Sequence, residues 1–156
     1  MNEIFILTGD IKTGKTTTLL NWSNNRNDTF GVLSPVVDGK RKFVNVFTSD
    51  AFDMEAVGDE YKLFVGKYEF SEKAFVSATE IIVRSSHQTK GYLIIDEVGP
   101  LELKETGLYE AIKFALQHSK MKIILVVRKS LVDKVQEFFE LKNVSVINKE
   151  ALHLWS

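Results

Sequence analysis

GDIKTGKT, residues Gly9 to Thr16, fits G-x-x-x-x-G-K-[ST] at every fixed position. It follows an apolar run with strand character, Ile4-Phe5-Ile6-Leu7. It precedes Thr17-Thr18-Leu19-Leu20-Asn21-Trp22, which can continue as a helix. Strand, glycine loop and helix in that order mark a phosphate-binding P-loop. Gly9 and Gly14 let the backbone turn tightly and bring successive N–H groups towards phosphate oxygens. A helix starting near Lys15 aims its unpaired N–H groups and its positive dipole end at the same anion. The expected nucleotide-binding segment is therefore Gly9, Asp10, Ile11, Lys12, Thr13, Gly14, Lys15, Thr16 and Thr17. Lys15 is assigned to the β- and γ-phosphates as a catalytic cation, and the Thr16 hydroxyl to Mg²⁺. A carboxylate inside this loop is repelled by phosphate, so Asp10 is expected to face solvent or pair with Lys12.

Tyr92-Leu93-Ile94-Ile95-Asp96-Glu97 supplies the second half of the site. Consecutive apolar residues after Gly91 read as a strand buried on both faces, as parallel sheets require. A carboxylate at the carboxyl end of such a strand lies where open α/β sheets bind ligands. Asp96 is accordingly the Walker-B candidate, holding Mg²⁺ through water, and Glu97 the candidate for orienting or deprotonating an attacking water.

The remaining sequence narrows the setting. At 156 residues the chain has one domain's length and can bury roughly 70% of its unfolded surface. Hydrophobic residues at 44% and charged residues at 26% are ordinary for a soluble globular protein. A net charge of −1 argues against a nucleic-acid-binding surface. The absence of cysteine removes disulfides and thiolate metal sites and fits a reducing cytoplasm. The apolar run Ile123 to Val127 is too short to span a bilayer, and the start lacks a basic leader region. A cytoplasmic protein with no membrane partner is expected.

Strands are expected over Glu3 to Thr8, Tyr92 to Ile95, Lys122 to Val127 and Val144 to Ile147, and a helix over Lys15 to Asn24. Gly31 to Val37 and Arg41 to Thr48 read as β-runs joined by Asp38-Gly39, a favoured hairpin turn. Met54 to Val57 and Lys62 to Val65 extend this antiparallel material. Ser71 is the expected N-cap of a helix striped with Ala74, Phe75, Ala78, Ile81 and Ile82. A further helix buries Leu108, Ala111, Ile112 and Ala115. Ser130 with Asp133 reads as a capping box opening a helix with Leu131, Val135, Phe138 and Phe139. Alternating strands and helices predict a three-layer α/β/α fold: a mostly parallel sheet, right-handed crossovers and an antiparallel hairpin extension, in one domain over 1–156.

Gly9 to Thr17, Gly31 to Val37, Val65-Gly66-Lys67-Tyr68 and the run Ile94 to Leu103 (IDEVGPLEL within it) occur in an order that resembles the small P-loop nucleoside-triphosphatase family, the thermophile-type and cancer-related nucleoside-triphosphatases. IDEVGPLEL is the most specific piece, similar to the family's IDEIGxMEL. The resemblance covers nearly the whole chain. It implies Mg²⁺-dependent hydrolysis of ATP, GTP and other nucleoside triphosphates to diphosphate and phosphate, with little base preference. Three departures stand out: Asp10 replaces a common proline, Glu69 replaces a second glycine, and Val127-Arg128 replaces a His-Arg pair.

Arg128 ends a strand on the expected ligand edge and is the remaining nucleotide-contact candidate. Glu102 either supports the metal's waters or faces solvent. Arg84, His87, His118 and His153 read as surface residues, and Trp22 as core. Asn148-Lys149-Glu150-Ala151 resembles a guanine-reading N-K-x-D but has Ala151 where the aspartate belongs, so strong GTP selectivity is not expected. A nucleoside or nucleotide kinase is an alternative, with an acceptor pocket near Asp38 and Arg41. The arginines are Arg26, Arg41, Arg84 and Arg128, without a clustered pair or evident arginine finger, which favours hydrolysis. A nucleotide-dependent adaptor is the other alternative.

Overall fold

Strands too continuously apolar for a one-faced sheet are covered on both sides. In the computed structural model, residues 3–9 and 14–154 are described, except for the side chains of 153 and 154. The elements in chain order are β1 (Ile4–Gly9), α1 (Lys15–Asn24), β2 (Thr29–Leu33), β3 (Val36–Val37), β4 (Lys40–Asn45), β5 (Ala51–Asp53), β6 (Lys62–Val65), β7 (Tyr68–Ser71), α2 (Glu72–Ser85), β8 (Tyr92–Ile95), α3 (Pro100–Leu103), α4 (Tyr109–His118), β9 (Lys122–Arg128), α5 (Val132–Phe138) and β10 (Val144–Ile147). Asp10, Ile11, Lys12 and Thr13 lie outside the described residues, as does the side chain of His153.

The main sheet runs in the order β10-β1-β9-β8-β2-β4-β3, with β5 paired to β4. Its first five strands pair parallel, and β4 returns antiparallel to β2. The fold is thus α/β, with a mostly parallel sheet and antiparallel additions. Alternation along β9 shows why the run is apolar throughout. Ile123, Leu125 and Val127 join the core under α2, α4 and α5, whereas Ile124 and Val126 join Leu19 of α1 and Leu152 on the opposite face. Each face has its own helical cover. No helix among the described residues is long and apolar enough to cross a membrane.

The hairpin at Asp38-Gly39 has positive φ at both residues, 52° and 79°, the geometry such a two-residue turn needs. Ser71 caps α2, its Oγ accepting from Ala74 N at 3.1 Å. Four expectations change. Met54 to Val57 is not a strand: β5 ends at Asp53, and Glu55 makes an isolated bridge to Phe70. The run Gly31 to Val37 breaks after Leu33, where Pro35 removes a ladder donor. The strand expected to reach Thr48 stops at Asn45, whose Oδ1 accepts from Phe47 N and Thr48 N and closes a turn. Ser130 and Asp133 do not form a capping box. Lys129–Leu131 is a 3₁₀ turn, and α5 begins at Val132 with no side-chain cap, as Leu131 and Val132 pack against the core.

One glycine sets the seam between β2 and β8. Gly31 has φ +102°, and a Cβ there would run into the carbonyl oxygen of Ile94, close to Asp96 in the same strand end. Gly31→Ala should cost about 2–4 kcal/mol in urea unfolding, from the strained φ plus the backbone clash. Gly66→Ala meets nothing within 4 Å and should cost only about 1 kcal/mol. Equal losses in the two variants would mean that the close approach is not what requires Gly31.

Candidate active site

Parallel strands end on one edge, and β9 separates the P-loop strand β1 from β8. Thr16, in the first turn of α1, bridges that gap. Its Oγ1 donates to Asp96 Oδ2 at 2.8 Å. The same oxygen accepts from Ser34 N at 2.9 Å, and Asp96 Oδ1 accepts from Glu97 N at 2.9 Å. Asp96 is fully buried. Burial, and then the charge of Glu97, push its carboxyl up to about 6, while the three hydrogen bonds pull the other way. Lys15 Nζ donates to Gly9 O at 3.3 Å across the loop.

Glu97 turns the chain sharply, with φ 60°, a left-handed conformation that costs a non-glycine residue about 1–2 kcal/mol. Its exposed carboxylate meets Arg41, with Nη1 3.0 Å from Oε1. The same nitrogen lies 3.5 Å from the Ser34 carbonyl oxygen. Sequence reasoning sets Arg41 beside a possible acceptor pocket but gives no sign of this pairing, because Glu97 is remote in the chain. The legible clue is the hairpin turn, which sets Arg41 opposite Val36 and folds it back towards the ligand edge.

Arg128 pairs in register with Gly9 and is exposed at the same edge. Lys149 also lies there, its Nζ 3.5 Å from where a Cβ on Gly14 would stand. The truncated N-K-x-D signature thus brings its lysine to the phosphate loop even though its aspartate is missing. Gly14 to Thr17, Asp96, Glu97, Arg41 and Arg128 all line one cavity of about 490 Å³. That cavity continues to an apolar wall containing Phe43, Met54, Phe70 and Phe75. Arg84, His87 and His118 are exposed, whereas half-buried Trp22 packs on Tyr92 and under Arg26 outside this cavity.

Glu102 neither faces solvent nor is left open to a metal's waters. It is 2% exposed, with Oε1 accepting from Gly99 N at 2.8 Å and Oε2 from Leu108 N at 2.9 Å. It ties the loop after Glu97 to the start of α4. Burial, and to a lesser extent the charge of Glu97, raises its carboxyl from 4.5 to about 7, against its backbone hydrogen bonds. Between those values the folded chain retains a proton that the unfolded chain has released. Its contribution to stability is therefore full at low pH and is lost as pH rises towards 7. The urea midpoint should drop between pH 5 and 7.5, with a loss of roughly 3 kcal/mol as the upper bound. Glu102→Gln should shrink that drop, although it loses one acceptor and is less stable throughout. An unchanged pH slope in the variant would contradict this.

The donors around Asp96 fit a hard divalent cation. Thr16 and Asp96 present oxygen ligands 2.8 Å apart. Among the described residues no three acidic, histidine or cysteine side chains cluster as a metal cage. Two protein oxygens suit an ion that completes its shell with phosphate and water, as Mg²⁺ does.

A family model described as NTPase matches residues 4–154. No curated protein matches the chain. The chain is similar in structure to a human cancer-related nucleoside triphosphatase, with TM-score 0.71, 20% identity, and coverage of 98% of this chain and 94% of that one. It is also similar to THEP1 from the hyperthermophile Aquifex aeolicus, with TM-score 0.65, 17% identity, and coverage of 95% and 89%. At such identities the likeness establishes the fold, while the family match extends over nearly the full length. The chain belongs to this NTPase family and is a nucleoside-triphosphate hydrolase of the P-loop type.

Proposed function

We propose that the chain acts as a single P-loop domain that hydrolyses ATP, GTP and other nucleoside triphosphates to diphosphate and phosphate with Mg²⁺. The observation that carries this is the 2.8 Å hydrogen bond from Thr16 to Asp96, which joins the P-loop helix to the acidic strand end. Gly9, Gly14 and the N–H groups opening α1, with the intervening loop residues, cradle the phosphates. Lys15 adds charge at the β,γ bridge, and Arg128 approaches from the end of β9. Thr16 and Asp96 would hold the Mg²⁺, which when bound supplies charge neutralisation on the β- and γ-oxygens. Glu97 receives the proton of the attacking water or orients it, and Arg41 holds that carboxylate in place. Ala151 offers no carboxylate to the guanine ring nitrogens, which argues against strong GTP selectivity.

Lys15→Ala should abolish triphosphate binding in calorimetry while the circular dichroism spectrum stays unchanged. Wild-type affinity in that variant would remove the loop from the mechanism. Glu97→Gln should still bind ATP with Mg²⁺ but turn it over about 10²–10⁴-fold more slowly in single-turnover assays. A loss under about threefold there would leave the water to some other group.

A further inference from the structure

The order of the sheet arranges the cavity in sequence. Lys15 and Thr16 follow β1, Asp96 and Glu97 follow β8, and Arg41 and Phe43 lie on β4, two strands further out. With the triphosphate held at the first position and attack at the second, the third lies beyond the γ-phosphate, where an attacking group comes from. An attacking water does not call for the apolar lining found there, with Phe43, Met54, Phe70 and Phe75.

The far wall is aromatic and braced. Phe43 and Phe75 meet edge to face at 5.0 Å, Phe70 and Phe75 lie tilted at 6.0 Å, and Tyr68 stacks on Phe70 at 5.7 Å. Such a wall accepts a flat ring and does nothing to orient water. Ser34 also lines the cavity, 1% exposed, with its hydroxyl buried and without a hydrogen-bond partner. An orphaned hydroxyl of this kind costs stability unless a ligand satisfies it. The cation on this side is Arg41, already paired with Glu97 at 3.0 Å. Among the described lining residues there, no further positive charge is set aside for a phosphate on the incoming molecule.

We propose that this chamber binds an uncharged planar alcohol of about nucleoside size, and that the enzyme transfers the γ-phosphoryl group to it. The inference rests on the nucleotide and Glu97 assignments proposed above. The alcohol oxygen forms the new bond to the γ-phosphorus and the β,γ-bridging P–O bond breaks. The nucleoside diphosphate departs, and the hydroxyl proton passes to Glu97 and on to solvent. Water competes because the described residues carry no arginine-rich lid, so hydrolysis persists when the chamber lacks an acceptor.

The test incubates the protein with γ-labelled ATP, Mg²⁺ and either the common nucleosides or pyridoxine, a smaller heteroaromatic alcohol. Free phosphate, ADP and labelled acceptor are measured together. Labelled acceptor should form in at least one arm, with ADP equal to the sum of phosphate and phosphorylated acceptor. The arm that reacts identifies the ring class. Val65→Trp, which fills the chamber from β6, should lower the ratio of transfer to hydrolysis by about tenfold or more, and Tyr68→Ala should raise the acceptor KM similarly. Tyr68 is 42% exposed, so its variant keeps the test open if Val65→Trp does not fold. Phosphate release without labelled acceptor, and without calorimetric binding of either probe class in the presence of ADP and Mg²⁺, overturns the acceptor site and leaves hydrolysis standing. Transfer unchanged in both folded variants also overturns it. Neither transfer nor phosphate release would remove the hydrolase reading along with it.

Discussion

Asp96 is the constraint on which the site depends. A carboxylate buried at the end of a central strand is costly unless its oxygens are occupied. Here it is occupied from three directions: the Thr16 hydroxyl on α1, the Ser34 amide after β2, and the Glu97 amide of its own chain. Those bonds join the phosphate-loop helix, the start of the antiparallel extension and the turn that presents Glu97. Moving any one of them would leave the buried carboxylate short of a donor. The relative positions of Lys15, Glu97 and Arg41 therefore inherit their accuracy from one buried acid. Burial still holds the Asp96 carboxyl above its ordinary range. A group in that condition gains most from a cation, which fits the proposed Mg²⁺.

The second organising feature is the extension between β2 and α2. A minimal parallel sheet with helices would end at β2 and leave the edge beside Asp96 and Glu97 open. Instead β4 and β5 continue the sheet, and β6 with β7 form a separate antiparallel pair. Together they raise an aromatic wall and bring Arg41 onto Glu97. The left-handed turn at Glu97 is part of the same construction. The strain of a non-glycine residue at φ 60° is accepted where the surrounding bonds overdetermine it. Glu102 secures the far side by tying Gly99 to Leu108. The acidic strand end thus sits between two separately anchored segments.

Local signals are legible where a short stretch carries its own physics. The run Tyr92 to Ile95 is apolar at every position because both faces are covered, and its span is readable to the residue. Ser71 announces a helix because a short hydroxyl side chain can satisfy an amide three residues ahead. The Asp38-Gly39 turn is equally plain. Ser130 and Asp133 mislead because packing of Leu131 and Val132 against the core outweighs a local cap. Glu102 is ambiguous for a related reason. Nothing within IDEVGPLEL says whether Glu102 faces solvent or accepts from two buried amides. That depends on where the chain returns at Leu108.

By itself the sequence determined the phosphate-loop signature, the acidic strand end, the parallel α/β character and the hairpin, because each rests on contacts between near neighbours or on a strict repeat of apolar positions. Only the tertiary structure decided that Thr16 and Asp96 share a hydrogen bond across an intervening strand, that Arg41 faces Glu97, and that Phe43, Phe70 and Phe75 form one wall. These pairings join residues remote in sequence, and strand order and turn closure bring them together. No local propensity encodes that order; it follows from which faces can be buried together once the whole chain has condensed.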